Sequence, residues 1–333
     1  MVRAAEQLTS LVPTVLQAYT QGKSVNSRSA QALLLRRFEE EAQRLASARF
    51  SPQEIMRIRR SVGPRERGLR ASRAGDNTAA EQSMQEARAE LGLEELSPEA
   101  RLLVTTLHEA GEAYLLYRTA RFEEAHAALL KSLEATNTLQ VAHGHTFTEP
   151  RRIHLVRNLI HMEARRGRLD EALELGLPLL SYIEGDANAW PLSALRATAA
   201  VPLQADVAAM MFEDVLESLA EVLAPEGAET RRRLERFGPH LQSGASACAP
   251  FARPHQWLRL RWLAAEERDE EFLAEVPVFL SAGRGATPSL WHALVLELYR
   301  LSARRGAALR PLQEELTRDA PTFQHVPPVL RVG

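Results

Sequence analysis

The chain has 333 residues, 45% hydrophobic and 25% charged, with 18 Pro, 17 Gly, one Cys and a formal net charge of −2. This composition excludes collagen-like and disordered classes, and the length suits two domains or one elongated repeat array. With no run of 18 apolar residues, no apolar secretory core at the N-terminus and a lone Cys248, the sequence predicts a cytoplasmic protein without a membrane span, disulfide framework or multi-cysteine zinc site.

Alanine and leucine number 51 and 50 against five isoleucines, and this excess of strong helix formers predicts an all-α fold. The 39 arginines against only Lys23 and Lys131 read as the mark of a GC-rich bacterial genome, so arginine number alone does not point to guanidinium chemistry. Charge is uneven: residues 1–75 carry +8, 76–150 carry −8, 151–250 carry −3 and the remainder +1.

Helices are expected at 3–20 and 27–49, followed by Ser51-Pro52-Gln53-Glu54, a serine cap with proline at the first helical position and a capping-box glutamate. Beyond it lies the basic run Arg57, Arg59, Arg60, Arg65, Arg67, Arg70 and Arg73, which Gly63, Pro64 and Gly68 are expected to split between a helix end and a turn. That interruption, the slightly acidic whole and the lack of interleaved aromatics speak against nucleic acid as a partner. The basic N-terminal helical segment, 1–75, is then a solvated arm or one packed on the acidic stretch beside it.

A helix at 77–92 precedes a second capped start, Ser97-Pro98-Glu99. From Pro98 to Arg118, Leu102, Leu103, Leu107, Ala110, Ala113, Tyr114 and Tyr117 recur at three and four, as do Ala125, Leu129, Leu130 and Leu133 from Phe122 to about Ala135. The short break between them predicts an antiparallel hairpin. Residues 137–150 read as a mostly polar loop carrying His143-Gly144-His145, followed by a helix at 151–166 and, after Gly167, its partner at 169–183 with Pro178 inside. Further helices are expected at 188–224, 228–236, 255–267, 287–305 and 309–317, with Trp257, Trp262 and Trp291 filling a C-terminal core. The small-residue stretch around Cys248 reads as a hinge, and 319–333, with three prolines, as an extended tail.

Arg121-Phe122-Glu123-Glu124-Ala125 matches Arg168-Leu169-Asp170-Glu171-Ala172 at an offset of 47, with a fainter echo at Arg268-Asp269-Glu270-Glu271-Phe272. A helix, a Gly or polar turn, then an aromatic or Leu, two acidic residues and Ala resembles the tetratricopeptide repeat, as at Phe122/Ala125 and at Gly167/Leu169/Ala172. The resemblance implies antiparallel helical hairpins stacked as a right-handed superhelix. It divides the chain into tetratricopeptide-like repeats at 76–240, a linker at 241–253 and C-terminal helical repeats at 254–318.

The main functional candidate is one helical face. Arg151, His154, Asn158, His161 and Arg165 are spaced by three, four, three and four, so they form one polar stripe bordered by Arg157. Ile153, Val156, Leu159, Ile160 and Ala164 occupy the opposite side and are expected to anchor the helix. In tetratricopeptide repeats the first helix of each pair lines a concave groove that holds extended peptides, and the resemblance adds Tyr114, Tyr117 and Arg118 from the preceding repeat. Arginines beside an asparagine suit a carboxylate or phosphate. An ordinary wet face of an amphipathic helix is the plain alternative.

Catalytic signals are weaker. His143, His145 and His154 could converge on Zn²⁺ or Cu²⁺, while the loop needs no metal to exist. Cys248 is a lone thiol, and no Walker motif, Gly-x-Gly-x-x-Gly loop or Gly-x-Ser-x-Gly elbow is present. The expectation is therefore a cytoplasmic interaction scaffold without catalysis, cofactor or metal, binding an acidic or C-terminal peptide. The alternatives are a bacterial immunity or regulatory protein masking one partner, and a metal-dependent helical enzyme using the histidine loop.

Overall fold

The computed structural model describes residues 2–23, 30–195, 201–243, 249–285, 287–323 and 326–332. The fold is all-α, with no strand among the described residues. Its helices are α1 (Val2–Lys23), α2 (Ala30–Arg49), α3 (Pro52–Ala74), α4 (Asn77–Leu91), α5 (Pro98–Arg118), α6 (Phe122–His143), α7 (Glu149–Arg165), α8 (Leu169–Ile183), α9 (Ala205–Ala220), α10 (Ala228–Glu235), α11 (Gly238–Ser243), α12 (Ala252–Ala265), α13 (Asp269–Ser281), α14 (Pro288–Arg305) and α15 (Arg310–Asp319). No described helix is long and apolar enough to cross a membrane.

The protein forms two compact units. The first takes Met1–Ala32, Leu169–Leu180 and Gln204–Gly333; the second takes Leu33–Arg168 and Ser181–Leu203. Both differ from a linear succession of segments, because the expected N-terminal segment is divided between them.

In the second unit the capping box forms as expected: Ser51 Oγ accepts from the Glu54 N–H at 3.3 Å, and the Ser51 N–H donates to Glu54 Oε2 at 2.8 Å. At the second start, the Ser97 side chain makes no cap bond. Its N–H instead donates to Glu54 Oε1 at 2.8 Å, so one glutamate serves the starts of α3 and α5. Hydrogen bonds from Ser97 and Ser51 hold the Glu54 carboxyl down at about 2.

Contrary to the sequence reading, α3 is continuous through Gly63, Pro64 and Gly68. Packing overrides propensity here. Pro64 and Gly68 are buried, and a Cβ on Gly68 would stand 3.2 Å from the Ala80 carbonyl and 3.1 Å from Met84 Cγ. Glycine at that position lets α4 approach closely. The basic run is tied to acidic residues nearby: Arg57 pairs with Glu95 and Arg67 with Glu86.

One turn design recurs. After α3, the Asp76 N–H donates to Ala71 O at 3.0 Å and the Gly75 N–H to Ser72 O at 3.2 Å. The same pair of bonds follows α5 (Arg121 to Leu116, Ala120 to Tyr117), α7 (Arg168 to Glu163, Gly167 to Ala164) and, in the first unit, α12 (Arg268 to Leu263, Glu267 to Ala264). Each is a Schellman closure around a left-handed residue, with φ of 83° at Gly75, 60° at Ala120, 77° at Gly167 and 56° at Glu267. The sequence echo at Arg121, Arg168 and Arg268 is the imprint of this turn. The three-residue link from α5 to α6 leaves two long packed helices no option but to run antiparallel, which confirms that hairpin.

Three other expectations change. Helix α6 runs on to His143, because Ser132, Thr136 and Gln140 lie in the core and erase the apolar periodicity; Thr136 Oγ1 donates to Ser132 O at 2.6 Å. Gly144 ends it with φ 74°, leaving only a short connection with a 3₁₀ turn at Thr146–Thr148. Among the described residues of 188–224, Ala205–Ala220 is the α-helical part, and Pro191 and Pro202 stand in the segment before it. The expected extended tail instead carries 3₁₀ turns at Ala320–Phe323 and Pro328–Leu330 and buries Phe323, Val326, Leu330 and Val332.

The first unit closes α1 onto α13. A Cβ on Gly22 would stand 2.0 Å from the Leu280 carbonyl oxygen, which also accepts from Trp291 Nε1 at 3.2 Å. Tyr19 stacks on Trp291 at 5.5 Å and its hydroxyl donates to Asp319 at 2.7 Å, where Lys23 also pairs at 2.7 Å. Trp257 and Trp291 are fully buried in this core, as expected, while Trp262 is half-buried. Cys248 and most of the small-residue stretch lie outside the described residues.

Candidate binding site

Helix α7 carries the predicted stripe. Pro150 occupies its first turn, and its apolar side is sealed: Ile153, Leu155, Val156, Leu159, Ile160 and Met162 are all buried. His154, Arg157, Asn158 and His161 are half-buried and Arg165 is exposed; Ala164, expected on the anchoring side, is also half-buried. One stripe position departs from the expectation. Arg151 is buried rather than solvent-facing: its Nη2 donates to the Thr106 carbonyl at 3.3 Å and its guanidinium lies 5.8 Å from the centre of the Phe38 ring. Helix α2 supplies that ring, along with Ala42, to an apolar cluster that includes Leu103, Val104 and Leu139.

Helices α5 and α7 lie side by side in parallel. Arg151 meets Thr106 near their starts, and His161 meets Tyr117 near their ends, with ring centroids 5.9 Å apart. Glu54 with Ser97, and Arg65 with Gly111, align α3 and α5 in the same sense. Of the predicted Tyr114, Tyr117 and Arg118, Tyr117 meets the α7 stripe at His161; the tyrosines are half-buried and Arg118 is exposed. Tyr117 also meets Phe122 edge-on at 6.0 Å, and Arg157 Nη1 donates to Asn158 Oδ1 at 3.4 Å. His154, Arg157, His161 and Arg165 all have further partners within the fold.

The histidine loop is engaged with a carboxylate. His143 and His145 stack at 6.1 Å, and His145 Nε2 hydrogen-bonds Glu99, which also accepts from Arg49 at 2.9 Å. Burial would raise the Glu99 carboxyl, but these bonds from His145 and Arg49 bring it below its ordinary value. Two open surface depressions, one along α15 at Arg310–Arg318 and one along α2 at Glu40–Ala48, contain none of the stripe residues.

Sequence reasoning missed a buried polar knot at the start of α7. Arg152 and Glu149 are fully buried and paired at 2.8 Å; Arg152 Nη2 donates to Leu195 O at 2.8 Å, and Tyr182 donates to Glu149 Oε1 at 2.6 Å. Burial, reinforced by the Glu149 charge, pushes the Tyr182 hydroxyl well above its ordinary value. The arginine pair 151–152 gives no sign in sequence that both side chains turn inward.

Comparison with protein-family models, curated proteins and solved structures finds no match to this sequence or fold.

Proposed function

We propose that the protein is a non-catalytic, cytoplasmic interaction module that binds an acidic or C-terminal peptide across α5 and α7. In this reading the hairpins stack as a tetratricopeptide-like superhelix whose leading helices line the groove. The observation that carries it is the Tyr117–His161 contact, which joins an aromatic and arginine-bearing face to the polar stripe while the other side of α7 is sealed in the core. Asn158, His161 and Arg165, with Arg118 and Arg157, supply donors for carboxylates, and the two tyrosines supply contact area. Arg151 sits at the inner end of the stripe.

The test uses fluorescent acidic peptides with free or amidated C-termini, followed by anisotropy against wild type and a variant carrying Asn158→Ala and Arg165→Glu. Losing two charge-assisted contacts is expected to weaken binding by about tenfold or more, and raising salt from roughly 50 to 500 mM is expected to weaken the wild type as well. Equal affinity of wild type and variant would refute the groove.

A further inference from the structure

Arg65, His108 and Arg151 recur at intervals of 43 residues, on the three parallel helices α3, α5 and α7. Their side chains are poorly matched by the protein itself. Arg151 is 8% exposed and spends one donor on the Thr106 carbonyl, while its Nε makes no hydrogen bond. His108, also 8% exposed, leaves Nε2 unpartnered. Arg65 is half-buried and runs along α5, with Cγ 3.8 Å and Cδ 3.9 Å from where a Cβ on Gly111 would stand.

No carboxylate forms an ion pair with Arg65 or Arg151 among the described residues. The negative charges acting on Arg65 are Glu39, on the exposed side of α2, and Glu66, and Glu39 alone acts on Arg151. Arg88 adds positive charge near His108 but is itself tied to Glu112. Burial, followed by repulsion from Arg65, lowers Arg151 to about 10; burial, followed by Arg65 and Arg88, lowers His108 to about 4. The imidazole is therefore neutral at pH 7, with one N–H to donate. Arg65 repels the buried Arg151 with no carboxylate paired to either, which is costly, and a bound anion would remove that cost.

We propose that Arg65, His108 and Arg151 form a binding site for a small dianionic oxyanion of the phosphate class. Donors arriving from three helices match the divergent oxygens of a tetrahedral anion, and its two charges offset two guanidiniums where a carboxylate offsets one. The site goes beyond the peptide groove, since it needs none of His154, Asn158, His161 or Arg165.

The experiment titrates inorganic phosphate into the full-length protein, following melting temperature and heat of binding, with NaCl matched for ionic strength. A saturable, phosphate-specific rise in Tm is expected for wild type and for the Asn158→Ala, Arg165→Glu variant. Arg65→Met and Arg151→Met are expected to weaken phosphate by about tenfold or more, the worth of a charge-assisted donor. In phosphate-free buffer Arg65→Met is expected to melt no lower than wild type, because it relieves repulsion. Phenyl phosphate separates the sources: equal binding marks a phosphoryl group on a larger molecule, and selective binding of inorganic phosphate marks the free ion. No phosphate-specific shift in wild type, an undiminished shift in Arg65→Met, or a lower melt of that variant without phosphate would overturn the assignment. Failure of the peptide test alone would leave this site standing.

Discussion

Replacing Arg152 with Met would leave the Glu149 carboxylate in a fully buried place with only the Tyr182 hydroxyl to hydrogen-bond it. The Leu195 carbonyl would lose its 2.8 Å donor, Gln140 Oε1 its 3.2 Å donor, and Trp190 the guanidinium lying 4.3 Å from its ring centre. Removing one partner of a buried pair costs about 3–5 kcal/mol, mostly through the stranded charge. Adding Glu149→Leu removes that charge but orphans the Tyr182 hydroxyl, so part of the penalty persists at about 1–3 kcal/mol per unpaired group. The double variant is therefore expected to be about 1–3 kcal/mol more stable than Arg152→Met alone. Because a protein of two units need not unfold in one step, the assay is hydrogen exchange of peptides covering 149–156 and 182–195 rather than one global midpoint. A double variant no better protected than the single, or a single variant within about 1 kcal/mol of wild type, would refute the reasoning.

Further outcomes follow from the turns and close approaches. Ala120 and Glu267 adopt left-handed backbone at positions where Gly75 and Gly167 do so elsewhere; Ala120→Gly and Glu267→Gly should each stabilise by about 0.5–1 kcal/mol in urea unfolding, and a loss would contradict the strain. Gly22→Ala must displace α1 from the Leu280 carbonyl, a steric cost of about 2 kcal/mol or more against the roughly 1 kcal/mol that alanine gains in a helix. The readout is a lower melting midpoint with a changed near-ultraviolet signal from the Tyr19–Trp291 stack. Glu54, whose ordinary value is 4.5, is held near 2 in the fold, so its contribution is complete above about pH 4.5 and fades as pH falls through 2. Stability curves of wild type and Glu54→Gln should differ at pH 7 and converge near pH 2; parallel curves would show that the Ser97 and Ser51 bonds do not act this way.

The readable parts of this fold were written in local chemistry. Ser51 and Glu54 announce α3, the periodic leucines announce α5, and Trp257 and Trp291 belong to the core that their helices suggested. The surface part of the α7 stripe also follows from spacing, because Ile153 to Ile160 leave it only one side. What escaped reading depended on partners far away in sequence. Gln140 looks like a loop residue until Arg152 donates to its Oε1 in the core, and Pro64 looks like a helix end until α4 packs beside it. Arg151 and Arg152 are indistinguishable from surface arginines until Phe38 and Glu149 meet them. The level shared by Arg65, His108 and Arg151 is likewise invisible without knowing that α3, α5 and α7 run parallel.

The bond between the Tyr19 hydroxyl and Asp319 joins residues 300 positions apart. At about 5–20 residues per second, translation separates their syntheses by roughly 15–60 s. During that interval α1 has emerged while Leu280, Trp291 and Asp319, its native neighbours, do not yet exist. Residues 33–168 have no such wait for most of their contacts, so the ribosome delivers the second unit largely ready to fold while the first remains open. The apolar side of α1, with Val12, Val15 and Tyr19, is without its native cover for that interval.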